Sequence, residues 1–281
     1  MTIGEALALA TRRLSEAGVE TARLDARLLL ASVAGMSASA VLMEPARALP
    51  PTTQAVFNEF VDRRCRREPV SRIIGKREFW SLDFAITLAT LDPRPDSETL
   101  VEAALAQFEA EPPRRVLDLG SGTGCLLLAV LSERPGWTGM GIDIAEDAVA
   151  VGRANARTLG LATRAHFQKG DWDEGLSGPF DLILSNPPYI PSREIPGLAP
   201  EVSAYDPRRA LDGGEDGLDA YRVLAPAIAR LLAPKGRAVI ELGKGLADEV
   251  AALMSSQGLD ELDRRRDLAG VARCLVLGRA D

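Results

Sequence analysis

The chain has 281 residues, 46% of them hydrophobic and 26% charged, which is enough to bury a sizeable core and excludes a disordered chain. No apolar run reaches the length of a bilayer, and the start, MTIGEALALATRR, is neither a secretory signal nor an Arg-rich transit segment, so a cytoplasmic protein without membrane contact is expected. The formal charge of −7 is the sum of +2 over residues 1–95 and −9 over residues 96–281, and an acidic main body argues against a general duplex binder, which needs a basic stripe to neutralise phosphates.

Over residues 1–68 the apolar positions repeat at helical spacing. Ile3, Leu7, Leu14 and Ala17 fall on one face, and Leu24 and Leu28 repeat the pattern after Thr21. SASAVLMEP and TTQAVFNEFVDRRCRRE read as further helices, punctuated by Pro45, Pro50 and Pro51. A small all-α bundle is expected. The basic run RRCRRE, Arg63 to Glu68, reads first as a solvated helix face and second as a modest partner surface. From Pro69 the period changes. SRIIGKREFWSLDFAITLAT alternates and contains Gly75, which suggests a hairpin, and residues 69–95 are expected to link two domains. DPRPDSETLVEAALAQFEA then becomes a helix through Leu100, Ala104 and Phe108.

Beyond Glu111 strands and helices alternate. RVLDLG, GMGIDI, RAHFQKGD, FDLILS, RAVIELG and VARCLVLGR read as strands, with CLLLAVLSER, AEDAVAVGRANARTLG, DAYRVLAPAIARLLAP and LADEVAALMSSQG as helices. This alternation gives an α/β domain over residues 96–281, a Rossmann-like, doubly wound, mostly parallel sheet covered on both faces. Ligands of such sheets collect beyond the carboxyl ends of the strands, near the switch point. Cys65, Cys125 and Cys274 are distant and odd in number, so neither a disulfide framework nor a zinc site is expected. The only histidine, His166, lies in an expected strand without ligand-type neighbours, and no metal is expected.

The strand ends carry the chemistry. VLDLGSGTG places Gly120, Ser121, Gly122, Thr123 and Gly124 between a strand and a helix, with Asp118 two residues before the first glycine. Glycines let the backbone approach a ligand, and helix N-terminal amides attract negative charge. A dinucleotide fingerprint would need a glycine where Cys125 stands, so the spacing is G-x-G-x-G instead. The next strand ends in GIDI, with Asp143 and Ile144. A carboxylate there can accept from both hydroxyls of a ribose. The third ends in GDW, where Asp171 and Trp172 offer an acceptor for an adenine amino group beside a flat apolar surface. Each alone reads equally well as a helix cap or a core residue. At three successive strand ends they read as one adenosine site. This arrangement resembles the S-adenosylmethionine-dependent methyltransferase fold over residues 96–281. The resemblance implies S-adenosyl-L-methionine as cofactor and S-adenosyl-L-homocysteine as product, with the glycine loop beside the methionine part and Asp143 on the ribose.

SNPPYI, Ser185 to Ile190, follows the fourth strand and so faces the same cleft. An amide or aromatic amine nitrogen is a weak nucleophile because its lone pair is delocalised. A site can help by accepting both N–H bonds, which orients the lone pair and favours charge on nitrogen. Asn186 offers a side-chain carbonyl, and Pro187 a backbone carbonyl held stiff by the flanking proline ring of Pro188. Tyr189 can stack on the planar group. No strong general base is needed, since the methylated nitrogen loses its proton readily. The motif alone leaves adenine, cytosine and glutamine amides open as acceptors.

Along nearly its whole length the chain resembles the HemK/PrmC family, the N(5)-glutamine methyltransferases of peptide chain release factors. The matching segments are PVSRIIGKREFWSLDF, PRPDSETLVE, DLGSGTG, GDW, FDLILSNPPYIP and DPRRALDGGEDGLDAYR. PRPDSE is the most discriminating, because the related ribosomal-protein glutamine methyltransferases usually differ there. The resemblance implies methylation of the glutamine in the Gly-Gly-Gln loop of class 1 release factors by a monomer that holds no nucleic acid stably. Gly120 to Gly124, Asp143, Trp172 and Asn186 would bind cofactor. Asn186, Pro187, Pro188 and Tyr189 would hold the glutamine, and residues 1–68 would recognise the substrate. Asp92 and Arg72 depart from the family pattern. The rivals are an N(6)-adenine methyltransferase of DNA or RNA, which would flip its base into the same pocket, and a ribosomal-protein glutamine methyltransferase. The first predicts a basic groove and a target-reading domain, which the acidic body does not supply.

Overall fold

The computed structural model describes residues 1–109, 111–267 and 269–280. The chain begins with α1 (Ile3–Glu16), α2 (Ala22–Ala34), α3 (Ala38–Met43), α4 (Pro51–Cys65) and α5 (Val70–Ile74). A hairpin of β1 (Lys76–Phe79) and β2 (Leu82–Ala85) and helix α6 (Glu98–Leu105) precede β3 (Arg115–Leu119), α7 (Cys125–Glu133) and β4 (Thr138–Asp143). Then come α8 (Glu146–Thr158), β5 (Ala165–Lys169), β6 (Phe180–Ser185), α9 (Pro200–Ser203) and α10 (Asp219–Leu231). The last elements are β7 (Leu232–Glu241), α11 (Ala247–Ser255), β8 (Leu259–Arg266) and β9 (Ala272–Arg279). They form two compact units, Met1–Lys76 with Ala199–Tyr205, and Arg77–Leu198 with Asp206–Asp281.

In the helical unit, α1 opens on a capping box. Thr2 Oγ1 accepts from the Glu5 amide at 3.3 Å, and the Glu5 carboxylate accepts from the Thr2 amide at 2.8 Å. The core side of α1 is Ile3, Ala6, Ala10 and Leu14, and that of α2 is Ala22, Ala26, Leu29 and Leu30. The stripe expected through Leu24 is rotated, and Leu24 stands 44% exposed. Small residues allow helices to approach closely, so alanines take the seam that a count of large side chains assigns to leucine. The basic run is not a solvated face. Arg64 is buried between Asp25 at 2.7 Å and Glu201 at 2.9 Å, Arg67 pairs with Glu201 at 2.7 Å, and Arg63 with Glu68 at 2.5 Å. A buried guanidinium needs such partners, and two of them lie far away in sequence.

Among the described residues the main sheet of the second unit has seven strands in the order β5-β4-β3-β6-β7-β9-β8. Strands β3 to β7 run parallel, while β9 is antiparallel to both β7 and β8. Alternation along the strands divides the core. Val116, Leu182, Leu184 and Val239 face α6, α7 and α8, whereas Leu117, Leu119, Ile183 and Ile240 face α10 and α11. The strand order reverses between β3 and β6, which places a crevice beyond their carboxyl ends.

Several elements differ from expectation: α6 ends at Leu105, short of Phe108, and α10 gives way at Leu232 to a strand that begins ahead of RAVIELG. The hairpin starts later than Gly75 suggests, because Val70–Ile74 is a helical turn that Gly75 ends in the left-handed conformation. The hairpin turn is Trp80–Ser81, both at positive φ (54° and 56°), without the Asn or Gly such turns prefer. Glu98 accepts from the Trp80 amide at 2.8 Å, and the Trp80 indole donates to Glu133 at 2.9 Å, which holds the turn. Strand β8, LDELDRRR, has no apolar alternation to announce it. It is a charge-dense edge strand, a composition that discourages further pairing.

Candidate active site

The glycine loop leaves β3 with Gly120, Gly122 and Gly124 all at positive φ (76°, 52° and 78°). The amides of Gly120 and Ser121 both donate to Ile142 O at 2.9 Å, which fastens the loop to β4. At Gly124 an added Cβ would stand 2.6 Å from the Phe167 ring, so only glycine allows this entry into α7. From α8, buried Asn155 donates to Thr123 O at 2.9 Å and Ala85 O at 3.1 Å and accepts from the Ala85 amide at 2.8 Å. It ties the loop to β2. Sequence reasoning missed Asn155; its signal is a lone amide among the buried Val149, Val151, Gly152 and Ala156 of α8. Asn155→Ala is expected to destabilise the protein by about 3 kcal/mol, because three buried bonds lose a partner. Chemical denaturation checks this value.

The strand ends meet in one cavity of about 290 Å³ within the second unit. Asp118, Gly120, Ser121, Gly122 and Thr123 line it, as do Asp143, Ile144, Asp171 and Trp172. Asn186 and Pro188 contribute as well, together with Ser97. Three residues singled out from sequence do not line it: Gly124, which lies against Phe167, Pro187, and Tyr189. The Tyr189 hydroxyl donates to Glu241 Oε1 at 3.0 Å.

Asp143 Oδ2 accepts from the Gly122 amide at 2.8 Å and Oδ1 from the Ala145 amide at 2.9 Å. The carboxylate therefore shapes the loop, and each oxygen keeps a lone pair for a ligand. Ile144 beside it is 55% exposed, a large apolar group at the cavity wall. Trp172 adopts φ 49°, a left-handed conformation that costs a non-glycine residue roughly 1–2 kcal/mol. Strain of this kind concentrates where a side chain must be aimed at a ligand.

Asp118 is 1% exposed, and neither carboxylate oxygen has a hydrogen-bond partner among the described residues. Burial pushes its carboxyl up to about 7, with the Leu127 backbone pulling down and the Asp143 charge pushing up. A buried, unpartnered acid lining a cavity is costly unless a cation or donor arrives to meet it. Burial likewise pushes the Cys125 thiol up to about 12, so it is no nucleophile. His166 is exposed on β5, and among the described residues no cluster could hold a metal ion.

On the acceptor side Asn186 Nδ2 donates to Ser97 Oγ at 3.3 Å, and Ser97 Oγ donates to Glu241 Oε2 at 2.5 Å. Glu241 is 3% exposed. Burial raises its pKa, and the hydroxyls of Ser97 and Tyr189 and the Arg273 charge act against that rise. The backbone after Tyr189 is clamped: the Ile190 amide donates to Leu211 O, and the Gly213 amide to Ile190 O, both at 2.9 Å. A Cβ on Gly213 would stand 2.7 Å from Tyr189 Cα, so the segment DPRRALDGGEDGLDAYR backs the NPPY loop at close range. Sequence reasoning assigned no role to Ser97 or Glu241. The available signal was an acid inside the apolar run AVIEL at the end of a core strand.

Residues 5–75 match the PrmC N-terminal domain, and residues 111–262 match a methyltransferase domain. The release factor glutamine methyltransferase of Rhodospirillum rubrum is 52% identical over 279 residues, covering 99% of this chain and 86% of the relative. That of Caulobacter vibrioides is 44% identical over 279 residues, covering 99% and 96%. The chain belongs to the release factor glutamine methyltransferase family. Among solved structures, this family member is similar to a methyltransferase from Pyrococcus furiosus, with TM-score 0.53 and 18% identity over 71% of this chain and 90% of that one. The ribosomal protein L11 methylase of Lactobacillus delbrueckii gives TM-score 0.50 and 17% identity over 67% and 81%. At such identities these two show the fold alone, the α/β methyltransferase sheet.

Proposed function

We propose that this protein transfers a methyl group from S-adenosyl-L-methionine to the side-chain amide nitrogen of the glutamine in the Gly-Gly-Gln loop of class 1 release factors, and that it acts as a cytoplasmic monomer without stable nucleic acid. The observation that carries the reading is a single cavity that joins the unpartnered Asp118 and the Asp143 wall to Asn186. The cavity fits the cofactor on chemical grounds: an orphaned buried carboxylate suits a cationic amino-acid end, and a lining of glycines admits close approach. When bound, the cofactor supplies an electrophilic methyl group on a sulfonium.

The chain's own residues do the rest. Asp118 and the loop Gly120–Gly124 hold the methionine part, Asp143 accepts from the ribose hydroxyls, and Asp171 accepts from the adenine amino group beside Ile144 and Trp172. Asn186 Oδ1 accepts one N–H of the acceptor amide, with Pro188 stiffening the turn. That bond strengthens as positive charge grows on nitrogen, so it favours the transition state over the ground state. The choice of glutamine as acceptor is supported by relatives that carry that activity in their names.

The test is incubation with methyl-labelled cofactor and, separately, release factor, ribosomal protein and nucleic acid, followed by mass-spectrometric mapping of the label. Label is expected on the release-factor glutamine. Label on RNA, DNA or ribosomal protein, with none on that glutamine, overturns the reading.

A further inference from the structure

An asparagine can present either its oxygen or its NH₂ group to a pocket, and the two orientations have nearly the same shape. A pocket that must accept N–H bonds works only with the oxygen forward. Something in the protein has to decide between them.

We infer that Ser97 and Glu241 make that decision: they form a positioning relay that holds Asn186 with its carbonyl oxygen turned to the acceptor nitrogen. The inference rests on the proposed reaction. The Ser97 hydroxyl carries a single proton, and at 2.5 Å from Glu241 Oε2 it gives that proton to a buried carboxylate. What Ser97 turns towards Asn186 is then a lone pair, which only an N–H can meet. Nδ2 meets it at 3.3 Å. The oxygen is left as the free end of the amide, and no hydrogen bond engages it among the described residues. Asn186 itself lines the cavity.

The same carboxylate fixes the far end of the motif. Its second oxygen accepts the Tyr189 hydroxyl at 3.0 Å, so one buried acid anchors both the first and the last residue of NPPY. Glu241 is well placed for this. It ends β7, which pairs directly with β6, the strand that leads into Asn186. Its backbone carbonyl is fixed by the Tyr221 hydroxyl at 2.8 Å. The nearby cation, Arg273, is engaged elsewhere, with Asp96 at 2.8 Å and Asp267 at 2.7 Å. Each carboxylate oxygen therefore takes one of the two hydroxyls. A glutamine at this position puts an NH₂ donor where one of these two oxygens stands, so one hydroxyl loses its acceptor and Glu241→Gln must release one arm of the relay.

The test uses the full-length protein, S-adenosyl-L-methionine and purified release factor. Ser97→Ala is expected to lower kcat about 10- to 100-fold, the scale of a misaligned reacting group, with cofactor Kd within twofold of wild type. Ser97→Thr, which keeps the hydroxyl, is expected to recover to within threefold of wild-type kcat. The Ser97→Ala/Asn186→Ala double variant is expected to be no slower than Asn186→Ala alone, because both act through one amide. A readout independent of any acceptor is hydrogen exchange of the Asn186 side-chain NH₂ by NMR, which Ser97→Ala and Glu241→Gln are expected to accelerate at least tenfold. Unchanged exchange overturns the relay even if the wild type labels some other substrate. It is equally overturned if Ser97→Ala keeps wild-type kcat, if Ser97→Thr is as slow as Ser97→Ala, if cofactor affinity falls in step with kcat, or if the two defects multiply in the double variant.

Discussion

Asn186→Ala is expected to lower kcat for methyl transfer by about 10²- to 10³-fold while cofactor Kd stays within threefold. The magnitude is that of losing one preorganised acceptor aimed at developing charge, roughly 3–4 kcal/mol of transition-state stabilisation. The asymmetry between kcat and Kd follows from geometry. Asn186 lines the cavity and is held by Ser97, whereas the orphaned carboxylate and the loop that suit the cofactor are Asp118 and Gly120–Thr123. Single-turnover measurement at saturating cofactor, paired with calorimetry, separates the two quantities. A variant with wild-type turnover would mean that Asn186 does not touch the acceptor.

Asp118→Asn is expected to act in opposite directions on stability and on binding. The Asp118 carboxyl sits at about 7 in the folded protein, against an ordinary aspartate value of about 3.9 in the unfolded chain. Below pH ~4 both states hold the proton, and the stability linked to this group is fully present. Between pH ~4 and ~7 the unfolded chain releases the proton and the folded protein retains it, so stability falls as pH rises. The rise from about 3.9 to about 7 corresponds to about 4 kcal/mol lost across that window, with a plateau above it. Asparagine has the same shape and no proton to lose. The variant should therefore match wild type near pH 4 and exceed it by a few kcal/mol at pH 8, as read by urea denaturation of the cofactor-free protein. Cofactor binding should weaken strongly in the same variant. In the wild type, a cation arriving beside Asp118 favours the ionised form, so binding should expel a proton and tighten as pH rises from 6 to 7. Calorimetry in buffers of different ionisation enthalpy detects that proton. Parallel stability curves for the two proteins would show that Asp118 does not titrate where its burial puts it.

That Asp118 lies one strand away from Asp143 and two from Asp171 could be written down from the sequence, because a parallel α/β repeat delivers the end of every strand to the same edge. The glycine loop, GIDI, GDW and NPPY are local motifs whose position along the repeat fixes where they meet. Composition and alternation were likewise enough for the helical start and the doubly wound sheet, since both depend on periods of two or about four residues. The tertiary structure decided whatever depends on partners far apart in the chain. Leucines at helical spacing in α2 gave no warning that alanines would take the seam, because the seam is set by how closely α1 approaches. FWSL held no glycine or asparagine to mark the turn at Trp80, which Glu98 and Glu133 support from other elements. Arg64 looked like surface until Asp25, 39 residues away, closed on it, and Asn155 reaches a strand 70 residues back. Ser97 reaches Glu241, 144 residues away. A hydroxyl and an acid at that separation carry no mutual pattern in the chain, since the bond between them exists only once β7 lies beside β6. So the sequence determined which groups stand at the mouth of the cleft, and the fold decided which way the asparagine among them faces.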